Sequence, residues 1–376
     1  MHISLNLART ATACIVATLL VSCTTTAPAR LLSAQPNAQW FKLPTEPYKG
    51  KQDDIYFTDA RTGFYGNGAG KIFKTTDGGQ TWTMVLNQPG TFVRTIGFVD
   101  SKIGFAGNIG TEYFPGVTDT TPLYRTADGG ATWSPVAGII GPQVKGLCAI
   151  DILKVSFVNS GILEQRTVVH AAGRVGGPAY LMRSLDAGAT WKSIDMTPHL
   201  AAITDVKFFD EMNGMVIGGD DAAVGRSHAV VVVTNDGGQT WKRTYTSPRV
   251  FELAWKVSFP SRNVGYVTVQ NYNPDKTVTQ RVVAKSVDGG KSWSELPLVE
   301  DFAVRQFGVA FADEMTGWVG ASTTGFATTD GGKNWKRVEM GRAVNKIRIV
   351  PDGEHYVGYA IGVDVYKFAT APAPVK

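Results

Sequence analysis

The 376-residue sequence predicts an all-β fold, a seven-bladed β-propeller of four-stranded blades closed by its N- and C-terminal strands. Three observations point to it: a short motif repeated six times, a strand pattern repeated upstream of each copy, and unmatched strands at the two ends. Self-similarity at a roughly fixed period is the signature of a repeat architecture.

The motif occurs as KTTDGGQTW (74–82), YRTADGGATW (124–133), MRSLDAGATW (182–191), VTNDGGQTW (233–241), AKSVDGGKSW (284–293) and ATTDGGKNW (327–335). Its acids, Asp77, Asp128, Asp186, Asp236, Asp288 and Asp330, are separated by 42 to 58 residues. That leaves room for about four short strands per unit, the size of a propeller blade.

Apolar alternation of period two marks a strand ahead of each copy: DIYF (54–57), TIGF (95–98), KVSF (154–157), DVKF (205–208), KVSF (256–259) and GVAF (308–311). A turn and a glycine-led strand follow, as in TGFYGN and IGFAGN. A third strand then runs into the Asp motif, whose tryptophan opens the fourth.

At the C-terminal end KIRIVPDGEHYVGYAIGVDVYKF (346–368) supplies three strands and no Asp motif, whereas WFKL from Trp40 is a lone fourth strand. Joining them closes a ring over residues 38–368 and hides both sheet edges. Six full blades with a loose end is the alternative.

Between antiparallel strands, the Asp side chain of such a segment accepts backbone N–H bonds and the glycines take positive φ. Six copies of one acid suit a repeated turn and not a catalyst, so all six are assigned a structural role. Alternating strand directions put these turns on one face of the ring. Function is therefore sought on the other face, where loops converge near the axis.

The motif resembles the Asp-box (bacterial neuraminidase) repeat. In the form T-x-D-G-G-x-T-W at about 50-residue spacing, it is similar to the photosystem II stability and assembly factor family. The resemblance covers nearly all of residues 38–368. It implies a seven-bladed propeller that binds membrane-protein assembly intermediates and has no catalytic residues. Asp boxes also occur in sialidases, xyloglucan-cleaving hydrolases and sortilin-type receptors. Sialidases carry a Phe/Tyr-Arg-Ile-Pro segment before the first box, whereas Arg61 is the sole arginine between Trp40 and Asp77 here. The xyloglucan hydrolases resemble two rings in tandem, and this chain holds one.

MHISLNLARTATACIVATLLVSC has a weakly basic start, an apolar run and small residues at its end, the pattern of an export signal over residues 1–22. Leu20-Val21-Ser22-Cys23 resembles a bacterial lipobox, which makes Cys23 the lipidation site; an ordinary signal with a chance cysteine is the alternative. Thr24 after the cysteine points to the outer membrane, facing the periplasm. Residues 23–37 read as a flexible tether and 369–376 as a disordered tail.

Setting aside Cys14 and Cys23 leaves Cys148 alone, which excludes a disulfide framework or a cysteine metal site. Without Arg9 the chain carries 36 Lys and Arg against 32 Asp and Glu, too small a surplus for nucleic acid. The histidines show no metal-ligand spacing. No catalytic residue, metal or cofactor is assigned.

Three long loops, 108–122, 219–228 and 271–281, with the glycine-rich 171–179, raise a rim on the face away from the Asp motifs. Its candidate contact residues are Glu112, Tyr113, Asp220, Asp221, Tyr272 and Asp275. Near the axis, Arg94, Lys154, Lys256, Arg305 and Lys346 against Asp54 and Asp205 suggest a basic cluster for an acidic partner or anion; a solvated channel mouth is the bland alternative. The expected function is a lipid-anchored envelope propeller binding protein partners. The alternatives are a carbohydrate-active enzyme or a glycan-binding protein using the same loops.

Overall fold

The structure, a computed structural model, describes residues 32–159 and 162–371. The expected signal 1–22 and Cys23 lie outside the described residues. Every element among the described residues is a β-strand.

Seven sheets form a ring. The innermost strands are Asp54–Phe57, Val93–Phe98, Ala149–Asn159, Ala202–Phe208, Glu252–Ser258, Gln306–Phe311 and Lys346–Asp352, defining blades 1 to 7. Each packs on the next, and Lys346–Asp352 packs on Asp54–Phe57. Blade 7 is completed by Ala38–Lys42, antiparallel to Val365–Thr370 with Trp40 opposite Phe368. The ring is thus seven-bladed and closed by its two ends.

Two boundaries differ from expectation. Ser33–Ala34 pairs in parallel with His355–Tyr356, so the stretch expected to be tether up to residue 37 joins the sheet from Ser33. The last strand runs to Thr370, which places the first residues of the expected tail in the ladder.

The seams between blades explain the glycine that opens the second strand. In blade 1 the Phe57 ring lies over Gly63, where a Cβ would sit 2.5 Å from it; in blade 4 the same clash at Gly214 with Phe208 would be 2.4 Å. The other face of each phenylalanine takes a ring from the preceding blade. Tyr359 stacks on Phe57 at 3.5 Å, His170 on Phe208 at 3.6 Å and Tyr266 on Phe311 at 3.6 Å between centroids. Buried stacked rings of this kind make large apolar contributions.

In the first Asp motif, Asp77 Oδ1 accepts the Thr81 N–H at 3.0 Å and the Thr75 hydroxyl at 2.7 Å, and Oδ2 accepts the Thr81 hydroxyl at 2.6 Å. Thr75 Oγ1 in turn accepts the Gly79 N–H at 2.9 Å. The carboxylate takes the equivalent N–H in the other five copies. Ala187 replaces the first glycine of the third copy and still holds φ 57°.

Five motif tryptophans, from Trp133 to Trp335, donate their indole N–H to a glycine carbonyl three residues back at 3.1–3.2 Å. Trp133, Trp241 and Trp335 also meet the innermost-strand phenylalanine of their own blade edge-on, and Trp293 meets Phe259, the residue just after that strand, in the same way. Trp191 instead packs against Phe105 of blade 2.

Candidate binding site on the axis

The innermost strands do not run to the axis as regular ladders. Register skips between Val93 and Thr95, Ile203 and Asp205, Ala254 and Val257, and Gln306 and Val309. A bulge leaves a residue unpaired and re-aims its side chain. Here the re-aimed residues are Arg94, Thr204, Trp255 and Phe307. Asp53, Cys148 and Asn345 hold the same repeat position in the remaining blades. All but Phe307 are buried.

These residues plug the centre of the ring and bond from blade to blade around it. The Trp255 indole donates to Asn345 Oδ1 at 2.9 Å, and Asn345 Nδ2 donates to the Asp53 carbonyl at 2.7 Å. Thr204 Oγ1 donates to the Ala254 carbonyl, and Val175 N–H lies 3.4 Å from Cys148 Sγ.

On the loop face the plug is the floor of a cavity of about 380 Å³. Its walls include Phe92, Tyr113, Phe114, Trp255, Tyr272 and Phe307, and its charged groups are Lys51, Asp53 and Arg94. A smaller cavity of about 120 Å³ shares Tyr113, Val175 and Tyr272 and extends to Asp221. A larger one, about 580 Å³, lies between the Asp-motif turns of blades 4 and 5 and is lined by Thr240, Trp241 and Asp288. Asp288 there is occupied as a turn acceptor.

The axial cavity carries an uneven charge. Asp53 Oδ1 accepts from both Lys51 Nζ, at 2.5 Å, and Arg94 Nη1, so two cations meet one carboxylate. Lys51 Nζ lies 5.9 Å from the Trp255 ring and 5.5 Å from Phe307, and the Arg94 guanidinium lies 5.2 Å over Trp255. Burial lowers the Lys51 pKa to about 8 against the pull of Asp53. Burial likewise raises the Tyr272 phenol to about 12. Arg94 Nε and Asp53 Oδ2 are buried without a hydrogen-bond partner.

Of the residues singled out from sequence, Arg94, Tyr113 and Tyr272 come together in this cavity. Arg305 sits outside it, its guanidinium 4.2 Å from the Tyr272 ring. Glu112 stands on the rim, paired with Lys145 at 3.0 Å. Asp221 borders the smaller cavity but holds Arg226 at 2.9 Å. Asp220 accepts the His228 N–H at 2.8 Å and faces Arg243. Asp275 caps its own turn, accepting from Thr277.

The expected basic cluster is corrected. Lys256 is buried and donates to the Thr204 carbonyl at 2.9 Å, and Lys346 Nζ lies 3.5 Å from Asp205. Arg348 approaches Asp54 at 3.7 Å. Asp205 and Asp54 thus offset most of this positive charge within the ring, and neither lysine lines the loop-face cavity.

Lys154 is displaced altogether. Asp151 accepts the Phe208 N–H just as Ser258 accepts that of Phe311, so Ala149, not Lys154, corresponds to Lys256. Lys154 is exposed on a hairpin whose ladder runs from Ala149–Ala172 to Asn159–Ile162, longer than its counterparts. The tetrapeptide KVSF occurs in both blades, but the extra length of this hairpin shifts its place.

Two buried arginines not singled out from sequence hold the rim. Arg174 donates to the carbonyls of Gly177 at 2.7 Å and Thr111 at 2.5 Å, tying the loops of blades 2 and 3. Arg281 donates to the Val304 carbonyl at 2.5 Å and that of Phe302 at 2.8 Å. Lys51, Asp53, Phe92, Trp255 and Phe307 were missed as well. For three of them a signal was present: Asp53, Trp255 and Phe307, like Arg94, each immediately precede an innermost-strand tetrapeptide.

No family model and no curated protein matches the sequence. Solved structures do match. YCF48 bound to D1 peptide superposes with a TM-score of 0.60 at 17% identity, over 92% of this chain and 100% of that one. YCF48 from Cyanidioschyzon merolae gives 0.60 at 17% over 88% and 99%. An ancestral GH74 enzyme gives 0.60 at 12%, over 89% of this chain and 46% of its own. At these identities the likeness is one of fold, and the chain is a β-propeller resembling YCF48.

Proposed function

We propose that this chain is a non-catalytic envelope propeller, lipid-anchored through Cys23 in the outer membrane facing the periplasm, that binds protein partners as an assembly scaffold on its loop face. The observation that carries the reading is the aromatic cavity on the axis, framed by a rim that Arg174 and Arg281 hold in place. Large apolar walls with few fixed polar groups are the chemistry of a binding pocket. The rim carboxylates Asp220, Asp221 and Asp275 are each committed to turn N–H groups or ion pairs. That commitment favours binding over acid–base chemistry, and one of the similar structures is a propeller bound to a peptide.

Pull-down of the membrane-anchored protein after crosslinking tests this, with recovery of a stoichiometric envelope protein expected. Recovery of none, together with turnover of a glycan, would refute it. The aromatic faces of Tyr113 and Tyr272 beside Asp221 favour a second reading, a glycan-binding or glycan-cleaving site. A glycan panel separates the two: saturable binding without turnover indicates recognition, and turnover lost in Asp221→Asn indicates catalysis.

A further inference from the structure

We infer that the axial cavity is a carboxylate site: it takes a ligand whose aromatic or aliphatic body fills the space between the rings and whose carboxylate meets Arg94 and Lys51. The inference deepens the binding reading above and rests on it.

Asp53 Oδ1 satisfies one bond from each cation, which leaves one positive charge in excess at the base of an aromatic pocket. Arg94 is nearly out of water while Lys51 keeps about 25% of its side-chain surface, and a charge so far desolvated is costly unless a counter-charge arrives. Glu112, an acid of the neighbouring rim, is engaged by Lys145 and lies 3.8 Å from Arg174. Arg305 adds a further cation on the Tyr272 ring.

Donor geometry narrows the ligand to an anion. Arg94 is 4% exposed, lines the cavity, and has a buried Nε with no partner. A guanidinium presents donors in a fixed fork that fits a carboxylate. Lys51 Nζ lies near the faces of Trp255 and Phe307, where burial, and secondarily the Arg94 charge, lower its pKa to about 8 against the pull of Asp53.

Wall chemistry fixes the rest of the ligand. Rings dominate the lining, so a highly hydrated anion such as phosphate would lose its water without gaining apolar contact. A volume of about 380 Å³ suits one bulky side chain and its carboxylate. Two sources share that chemistry: the C-terminal residue of a partner polypeptide, and a free small organic acid.

The experiment is calorimetric titration of the folded wild-type protein at pH 8 with four probes. These are a hexapeptide ending in phenylalanine with a free carboxylate, the same peptide amidated, 3-phenylpropionate and 3-phenylpropanamide. Each acid should bind at least tenfold more tightly than its amide and take up protons from buffer as Lys51 recovers its charge. Binding of the peptide acid in competition with phenylpropionate assigns a polypeptide terminus. Binding of phenylpropionate alone assigns a small acid.

Arg94→Gln should weaken either acid at least tenfold, with Arg94→Lys retaining part of the affinity. Equal affinity for acid and amide, or binding of no probe, overturns the inference, and neither outcome depends on a variant that has to fold. If envelope partners are still crosslinked through rim residues while no acid binds preferentially, the carboxylate site fails alone and the broader reading stands.

Discussion

The Trp255 indole of blade 5 donates to the Asn345 side chain beside blade 7 at 2.9 Å, a bond that skips blade 6. Asn345 continues the path by donating to the Asp53 carbonyl at 2.7 Å. A buried side chain that bonds two other blades holds the plug more firmly than packing alone, because each partner left unsatisfied is penalised.

Asn345→Ala should therefore destabilise the protein by roughly 2 to 4 kcal/mol, from two buried groups left without partners. Denaturant unfolding monitored by fluorescence measures it. An unchanged midpoint would show that the axial bonds carry no stability.

The Asp motifs predict a different, more local loss. Asp77→Ala removes a carboxylate that caps one turn and should lower stability by about 1 kcal/mol, as with other lost side-chain caps. Partner binding should be unaffected, since Asp77 lies on the face opposite the axial cavity. A loss of binding with unchanged stability would reverse that assignment.

Acid sensitivity follows from the same bonds. The Thr132 and Thr240 hydroxyls, followed by the N–H groups of the same residues, lower the pKa values of Asp128 and Asp236 to about 2. The folded state thus binds protons less readily than the unfolded chain, whose aspartates titrate near 3.9. Their contribution is complete above about pH 4 and is lost as pH falls toward 2. Replacing both threonines by valine should move the acid-unfolding midpoint upward; an identical midpoint would contradict the account.

His170 predicts a second window. It is fully buried, stacked on Phe208, and neither ring nitrogen has a partner. Burial, reinforced by Arg183 and Lys207, holds its pKa well below 6.5. The unfolded chain gains the proton first, so stability is complete above about pH 6.5 and falls below it, by at most about 1.4 kcal/mol per pH unit. His170→Phe, which supplies the ring found at Phe64 in blade 1, should flatten that fall between pH 6.5 and 4.5. Parallel pH profiles of the two proteins would disprove it.

The architecture was legible because it rests on repetition. Six Asp motifs, the glycine under Phe57 and Phe208, and the unmatched strand at Trp40 all follow from local rules that each blade obeys. The site was legible in part. Tyr113 and Tyr272 stand out on long loops, whereas Trp255 and Phe307 reach the axis through bulges that no apolar periodicity announces. Lys154 misled because KVSF occurs in two blades and only the pairing register shows which copy is innermost. Lys256 and Lys346 misled because formal charge says nothing of burial, and Asp205 lies against them inside the ring.

The most direct test of the proposed binding face is site-specific photocrosslinking in cells that express the full-length chain. A photoreactive residue at Tyr272, on the loop face, is compared with one at Val287, exposed in an Asp-motif turn. A discrete protein adduct from Tyr272 and none from Val287 is the predicted result. An adduct from Val287 with Tyr272 silent would place the partner on the Asp-motif face and contradict the central claim.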